Sequence, residues 1–186
     1  MAKLIYVINV SLDGYIEDEQ GDFNWSEPED EAFVFITDLI RPVSTHLLGR
    51  RMYETMAVWE TDPALATQSD LMAEFARVWQ AADKVVYSTT LDAVSTTRTQ
   101  LERNFEPASV RDMKASATGD LAIAGPHLAA HAFAAGLVDE VHLFVRPRLV
   151  GGGKPALPSD TRAVLELQEN RRFSDGAMYL RYRIAT

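Results

Sequence analysis

Residues 121–136 read LAIAGPHLAAHAFAAG, and the handover inside that stretch decides the fold class. Leu121 to Ala124 is a short apolar run, suited to a strand covered on both faces. Gly125 interrupts it, Pro126 fits the first position of a helix, and Gly136 supplies the stop after Ala135. A strand passing through glycine into a helix is the unit from which largely parallel α/β sheets are built.

The same alternation runs outward in both directions. Upstream, Lys3 to Val10, Thr45 to Gly49 and Lys84 to Ser88 read as strands, with a weaker one between Val94 and Leu101. Glu29 to Ile40 has helical spacing at Phe33, Ile36 and Ile40, an acidic opening, and Pro42 beyond its end. Arg51 to Val58 and Pro107 to Ala117 are further helical segments. Asp70 to Ala81 puts Leu71, Phe75, Val78 and Trp79 on one side. Ser11 to Pro28 reads as a long loop marked by Asp-Gly and Gly-Asp pairs, and such loops are commonly functional. Downstream, Val141 to Arg146 is a strand. After Gly151-Gly152-Gly153, Ala163 to Gln168 and Met178 to Ile184 form a closing antiparallel hairpin turned near Asp175-Gly176. The expectation is one α/β domain over residues 1–186, a mostly parallel sheet with helices on both faces.

Composition narrows the function. Against 27 acids stand 18 lysines and arginines, a formal charge of −9. That balance argues against a nucleic-acid surface. The absence of cysteine removes disulfides, thiolate nucleophiles and iron–sulfur ligation. No basic n-region precedes a long apolar segment, and no apolar run of about 18 residues could span a bilayer, so the expected address is cytoplasmic, without membrane contact.

Three strand ends carry possible chemistry, because ligands of open α/β sheets sit outside the carboxyl ends of the strands. Gly49-Arg50-Arg51 sets two planar guanidinium forks beside a glycine that permits close approach; a turn with solvated arginines would look the same. Ser88-Thr89-Thr90 offers hydroxyls for a phosphate or for a turn cap. Gly125-Pro126 opens a helix whose amides at His127 and Leu128 can meet an anion. His127 and His131, four apart, have metal-chelating spacing but no glutamate after the first and no evident third ligand, so no metal site is assigned; a metal hydrolase is the weakest alternative. No GxSxG elbow is present.

With these segments in view, the chain resembles the dihydrofolate reductase superfamily, in particular the reductase domain of bacterial riboflavin-biosynthesis proteins. The resemblance rests on INVSLDGYI, GDFNW, LLGRRMYETM, KVVYSTTL, LAIAGPHLAAHAFAAGLVDEVHLFVRPRLVGGGKPALP and MYLRYR, which together cover about residues 3 to 183. It implies a three-layer sandwich around a sheet of about eight strands, and an NADPH-dependent reductase acting on a small heterocyclic substrate. By this likeness Arg50 and Arg51 would hold the 2′-phosphate next to Gly49, with Ser88 and Thr89 lining the same pocket. Gly125, Pro126, His127 and Leu128 would carry the pyrophosphate. Asn9 and Ile16 would meet the nicotinamide carboxamide, with Trp25 in a lid over the reacting ends. The proton would come from Asp30, Asp13 or an ordered water; Asp30 would equally serve as a capping acid, and Asp13 as a loop anchor. A homodimer paired through sheet edges is implied as well. Two positions depart from folate reductases, Met52 in place of a threonine and Gly125-Pro126 in place of a glycine pair. An NADPH-binding module without turnover and a true dihydrofolate reductase are the rival functions.

Overall fold

A computed structural model describes residues 1–185. Its strands are β1 (Leu4–Ser11), β2 (Tyr15–Glu17), β3 (Val43–Gly49), β4 (Asp83–Tyr87), β5 (Thr99–Glu102), β6 (Asp120–Ala124), β7 (Glu140–Arg146), β8 (Lys154–Pro155), β9 (Leu165–Arg172) and β10 (Met178–Ile184). Its helices are α1 (Asp30–Ile40), α2 (Arg50–Thr61), α3 (Pro63–Ala66), α4 (Asp70–Ala81), α5 (Pro107–Ser116) and α6 (Pro126–Ala134). Eight strands form one sheet in the order β5-β4-β3-β6-β1-β7-β10-β9. From β5 to β7 all pairings are parallel, and β10 and β9 close the far edge as an antiparallel hairpin. This is the expected architecture.

Alternation along β1 divides the core into two layers. Leu4, Tyr6, Ile8 and Val10 pack with Leu121 and Ile123 against Val110 of α5 and Leu128, Ala129 and Ala132 of α6. Ile5 and Val7 face the other way, onto Ile40 of α1 and Phe75, Val78 and Trp79 of α4. Being buried on both faces, the strand carries a nearly continuous apolar run rather than a polar alternation.

Besides the short helix α3 and a β5 that starts only at Thr99, the structure departs from the sequence expectation in three places. The segment after β1 is not structureless: β2 pairs with β8, and a short 3-10 turn, η1 (Asn24–Ser26), follows. The helix after β3 runs on past Val58 to Thr61, because Trp59 packs on Phe33 and Phe75 across the interface with α1 and α4. Finally, β9 extends to Arg172 although all eight of its residues are exposed. Backbone pairing with β10 holds it, so apolar period gave no sign of its length.

One buried bond ties the glycine run to the sheet. The Tyr6 hydroxyl donates to the Ala156 carbonyl at 2.6 Å, and burial pushes its pKa up. Tyr6→Phe leaves that carbonyl unpaired in the core. The expected cost is about 1–2 kcal/mol in urea unfolding, with little effect on the sheet itself.

Candidate active site

Neighbouring strands β3 and β6 send their helices to opposite faces, α2 beside α4 and α6 beside α5. That is a topological switch point, where a crevice opens at the carboxyl end of a sheet. Gly49 caps α2 and Gly125 caps α6, and neither offers a side chain to the first N–H groups. The two junctions also abut. A Cβ on Gly49 would lie 3.9 Å from the Leu128 Cβ, and one on Gly125 would lie 3.8 Å from the Met52 Cβ. Gly125 has φ 94°, a conformation that favours glycine. The first turns of α2 and α6 are thus neighbours, each with backbone N–H groups that no side chain caps, while Pro126 adds no donor.

The arginines frame this crevice. Arg50 donates through Nε to Glu54 Oε1 at 2.8 Å and through NH1 to Thr90 Oγ1 at 2.9 Å. Arg51 reaches Glu17 Oε1 at 3.2 Å, and the same carboxylate takes Lys154 Nζ at 2.7 Å. Both guanidinium groups are solvent-facing, and such pairs exchange readily for an incoming anion. The Ser88 hydroxyl accepts from the amides of Thr90 and Leu91, so it caps the turn after β4; Thr89 beside it is exposed.

On the other side of β6, the end of β1 carries Asn9, and Ile16 of β2 packs against the adjoining core. The η1 turn lies on β1, with the Trp25 indole N–H bonded to the Asp22 carbonyl at 3.1 Å. Asp13 accepts from the Ser11 hydroxyl at 2.6 Å, from the Gly151 amide at 2.8 Å and from the Val150 amide. Its carboxyl is held below the usual range first by the Ser11 hydroxyl and then by the Gly151 amide. A carboxylate so engaged anchors the loop and makes a poor proton donor. Asp30 stands at the head of α1 on its outer stripe, in a hollow of about 380 Å³ shared with Glu31, Val34, Phe35, Asp38 and Arg171. The structure therefore sets two helix starts, Gly49-Arg50-Arg51 and Gly125 to Leu128, side by side at the carboxyl ends of β3 and β6, with Ser88 just past the neighbouring end of β4. It sets Asp30 on the outside of α1.

The Asp13 clamp has a pH signature. Its folded pKa lies below that of an ordinary aspartate, so its contribution is complete above the ordinary value and is lost as pH falls through the folded one. Thermal melts between neutral pH and about pH 2 should show Asp13→Asn less acid-sensitive than the parent at the low end, and less stable at neutral pH.

His127 and His131 are both exposed, and His131 stacks on Phe105 at 5.9 Å. His46 is buried, and burial followed by Lys84 pushes its pKa down to about 4. His142 lies between Glu140, at 3.1 Å, and the Tyr179 hydroxyl, at 2.8 Å. Among the described residues no three metal-ligating side chains of the His, Cys, Asp or Glu type gather, and no helix is long and apolar enough to cross a membrane.

Sheet order, hairpin edge and switch-point crevice define an α/β fold of the dihydrofolate reductase type. The chain belongs to the RibD C-terminal domain family, whose model matches residues 2–179. It is 25% identical over 182 residues to the uncharacterized protein YyaP of Bacillus subtilis, covering 97% of this chain and 94% of that one. A putative riboflavin biosynthesis protein from Shewanella sp. PV-4 superposes with TM-score 0.73 at 22% identity, each chain fully covered. The diaminohydroxyphosphoribosylaminopyrimidine deaminase/5-amino-6-(5-phosphoribosylamino)uracil reductase of Thermotoga maritima superposes with TM-score 0.67 at 16% identity. The alignment covers 99% of this chain and 57% of the Thermotoga chain.

Proposed function

We propose that this protein is an NADPH-dependent reductase of a small heterocycle. When bound, the cofactor supplies a hydride from C4 of its nicotinamide to the carbon of a C=N or C=O group. The observation carrying this reading is the pair of uncapped helix starts, α2 and α6, meeting at the switch point. Their amides suit a pyrophosphate, and the absence of a Cβ at Gly49 and Gly125 lets it come close. Arg50 and Arg51 would bind the 2′-phosphate, Ser88 and Thr89 would line its pocket, and Trp25 would help exclude water from the reacting ends.

The named activity of the Thermotoga relative makes a ribosylaminopyrimidine one candidate substrate; a pteridine or dihydrofolate is the other. Asp30 would deliver the proton only if the head of α1 turned inward, so an ordered water is the better donor. One observation favours a second reading, binding without turnover: Asp13 is tied down as a carboxylate and Asp30 sits on the outer stripe of α1. Two measurements decide between them: calorimetric titration with NADPH, then loss of its absorbance on adding dihydrofolate or a flavin precursor. Heat followed by oxidation supports the reductase, heat alone the binding module. No heat at all removes both.

A homodimer would use the exposed edge strand β9, where Leu165 and Leu167 face solvent, and sedimentation velocity would give its mass. The reductase role implies the cytoplasm as its compartment.

A further inference from the structure

Arg146 closes β7 and is only 3% exposed. Its NH1 donates to Asp175 Oδ2 at 2.7 Å, and Asp175 is itself set by the Ala177 amide. The other two nitrogens, Nε and NH2, are buried and meet no partner among the described residues. A guanidinium carries five N–H donors, so most of its capacity is left unspent. One strand away, the Asn9 side-chain oxygen is also buried without a partner.

These two unpaired groups belong together. The register sets Ser11 beside Arg146 and Asn9 beside Phe144, which places Asn9 and Arg146 diagonally on one face. It is the α1 face, where Val7 and Phe144 also point. The η1 turn contacts β1, and after Asp175 the next carboxylate whose charge reaches Arg146 is Glu29, at the head of α1. Anchoring the β10 turn needs one nitrogen, and filling the volume needs none; a long apolar side chain would do that without burying charge. Buried donors left without a protein partner are places for an acceptor from outside the chain, a water or a ligand.

We propose that Arg146 and Asn9 recognise the amide edge of the acceptor ring, a ring carbonyl beside a ring N–H. The carbonyl accepts from Arg146, and the N–H donates to the Asn9 oxygen. This rests on the reductase reading, which puts the acceptor at this end of the crevice. Since both groups are covered, the 18–28 segment has to lift for the ring to enter. The nicotinamide carboxamide bears the same edge, so the cofactor is tested separately.

The probes are diaminouracil, which carries the edge, and tetraaminopyrimidine, which has the same ring without carbonyls. Calorimetry on the wild type should give roughly tenfold or greater preference for diaminouracil. Arg146→Lys, which keeps a cation near Asp175, should erase the preference while leaving NADPH affinity unchanged. Asn9→Leu should weaken diaminouracil independently, without touching an ion pair. Asp175→Asn breaks the anchor but keeps the guanidinium, and should retain the preference. The assignment is overturned by a wild type that does not discriminate, by equal loss in Asp175→Asn and Arg146→Lys, or by loss confined to NADPH. A wild type that takes diaminouracil but no NADPH would sink the reductase reading and leave the amide-edge assignment standing.

Discussion

Replacing Arg50 and Arg51 together by alanine should weaken NADPH about a hundredfold and leave NADH within about twofold. Hydrogen bonds to a charged group contribute about 1.5–3 kcal/mol each, and solvent exposure argues for the low end, so two arginines amount to about 3 kcal/mol. The present partners of these side chains do not block the change. Glu54 holds Arg50 in a solvent-exposed pair, and Glu17, which keeps Lys154 as a second partner, can release the exposed Arg51 to a phosphate dianion. NADH lacks the phosphate and keeps its contacts with the amides of α2 and α6. The loss should shrink with added salt, as exposed charge pairs do. Equal weakening of both cofactors would mean that the arginines serve the pyrophosphate or the fold instead.

Gly153→Ala should cost about 3–5 kcal/mol of stability, combining backbone strain with overpacking. The residue has φ 129°, and a Cβ there would lie 2.0 Å from the Glu17 carbonyl oxygen and 2.8 Å from the Asp18 Cα. Both neighbours are backbone, so no rotamer change relieves the clash. Gly14→Ala is the matched control. Its φ is 96°, yet nothing lies within 4 Å of the added carbon, so only the strain remains, about 1–3 kcal/mol. Denaturant unfolding of the pair measures the difference. Gly153→Ala should also impair NADPH binding, because Glu17, which pairs with both Arg51 and Lys154, lies on the strand it would displace. Stability equal to that of Gly14→Ala would show that β2 and β8 can part without loss.

Much of this architecture is legible in the sequence. Parallel strands buried on both faces announce themselves as apolar runs, so β1, β3, β4, β6 and β7 were found within two residues of their ends. Asp70–Ala81 and Met178–Ile184 were found as they stand. The crevice followed from glycines at strand ends, because a strand that turns straight into a helix leaves its amides free. What escaped was set by contacts remote in sequence. β2 and β8 are two to three residues long and exist only because they pair with each other. Arg146 reads in isolation as a polar stop after an apolar strand; only the sheet shows it buried against Asp175. In the sequence Asp30 is equally apt as proton source or capping acid, and no spacing rule gives the rotation of α1 that sets it on the outer stripe.

The position of β1 has a consequence for how the protein is made. Its two neighbours are β6 and β7, and the bond from the Lys3 amide to Asp120 already spans 117 positions. On the ribosome the greasiest strand of the sheet emerges before both neighbours, and it waits for more than a hundred residues before either appears. Until then its apolar faces stay uncovered, and a nascent fragment cut short of Arg146 should fall into inclusion bodies rather than yield a smaller working piece.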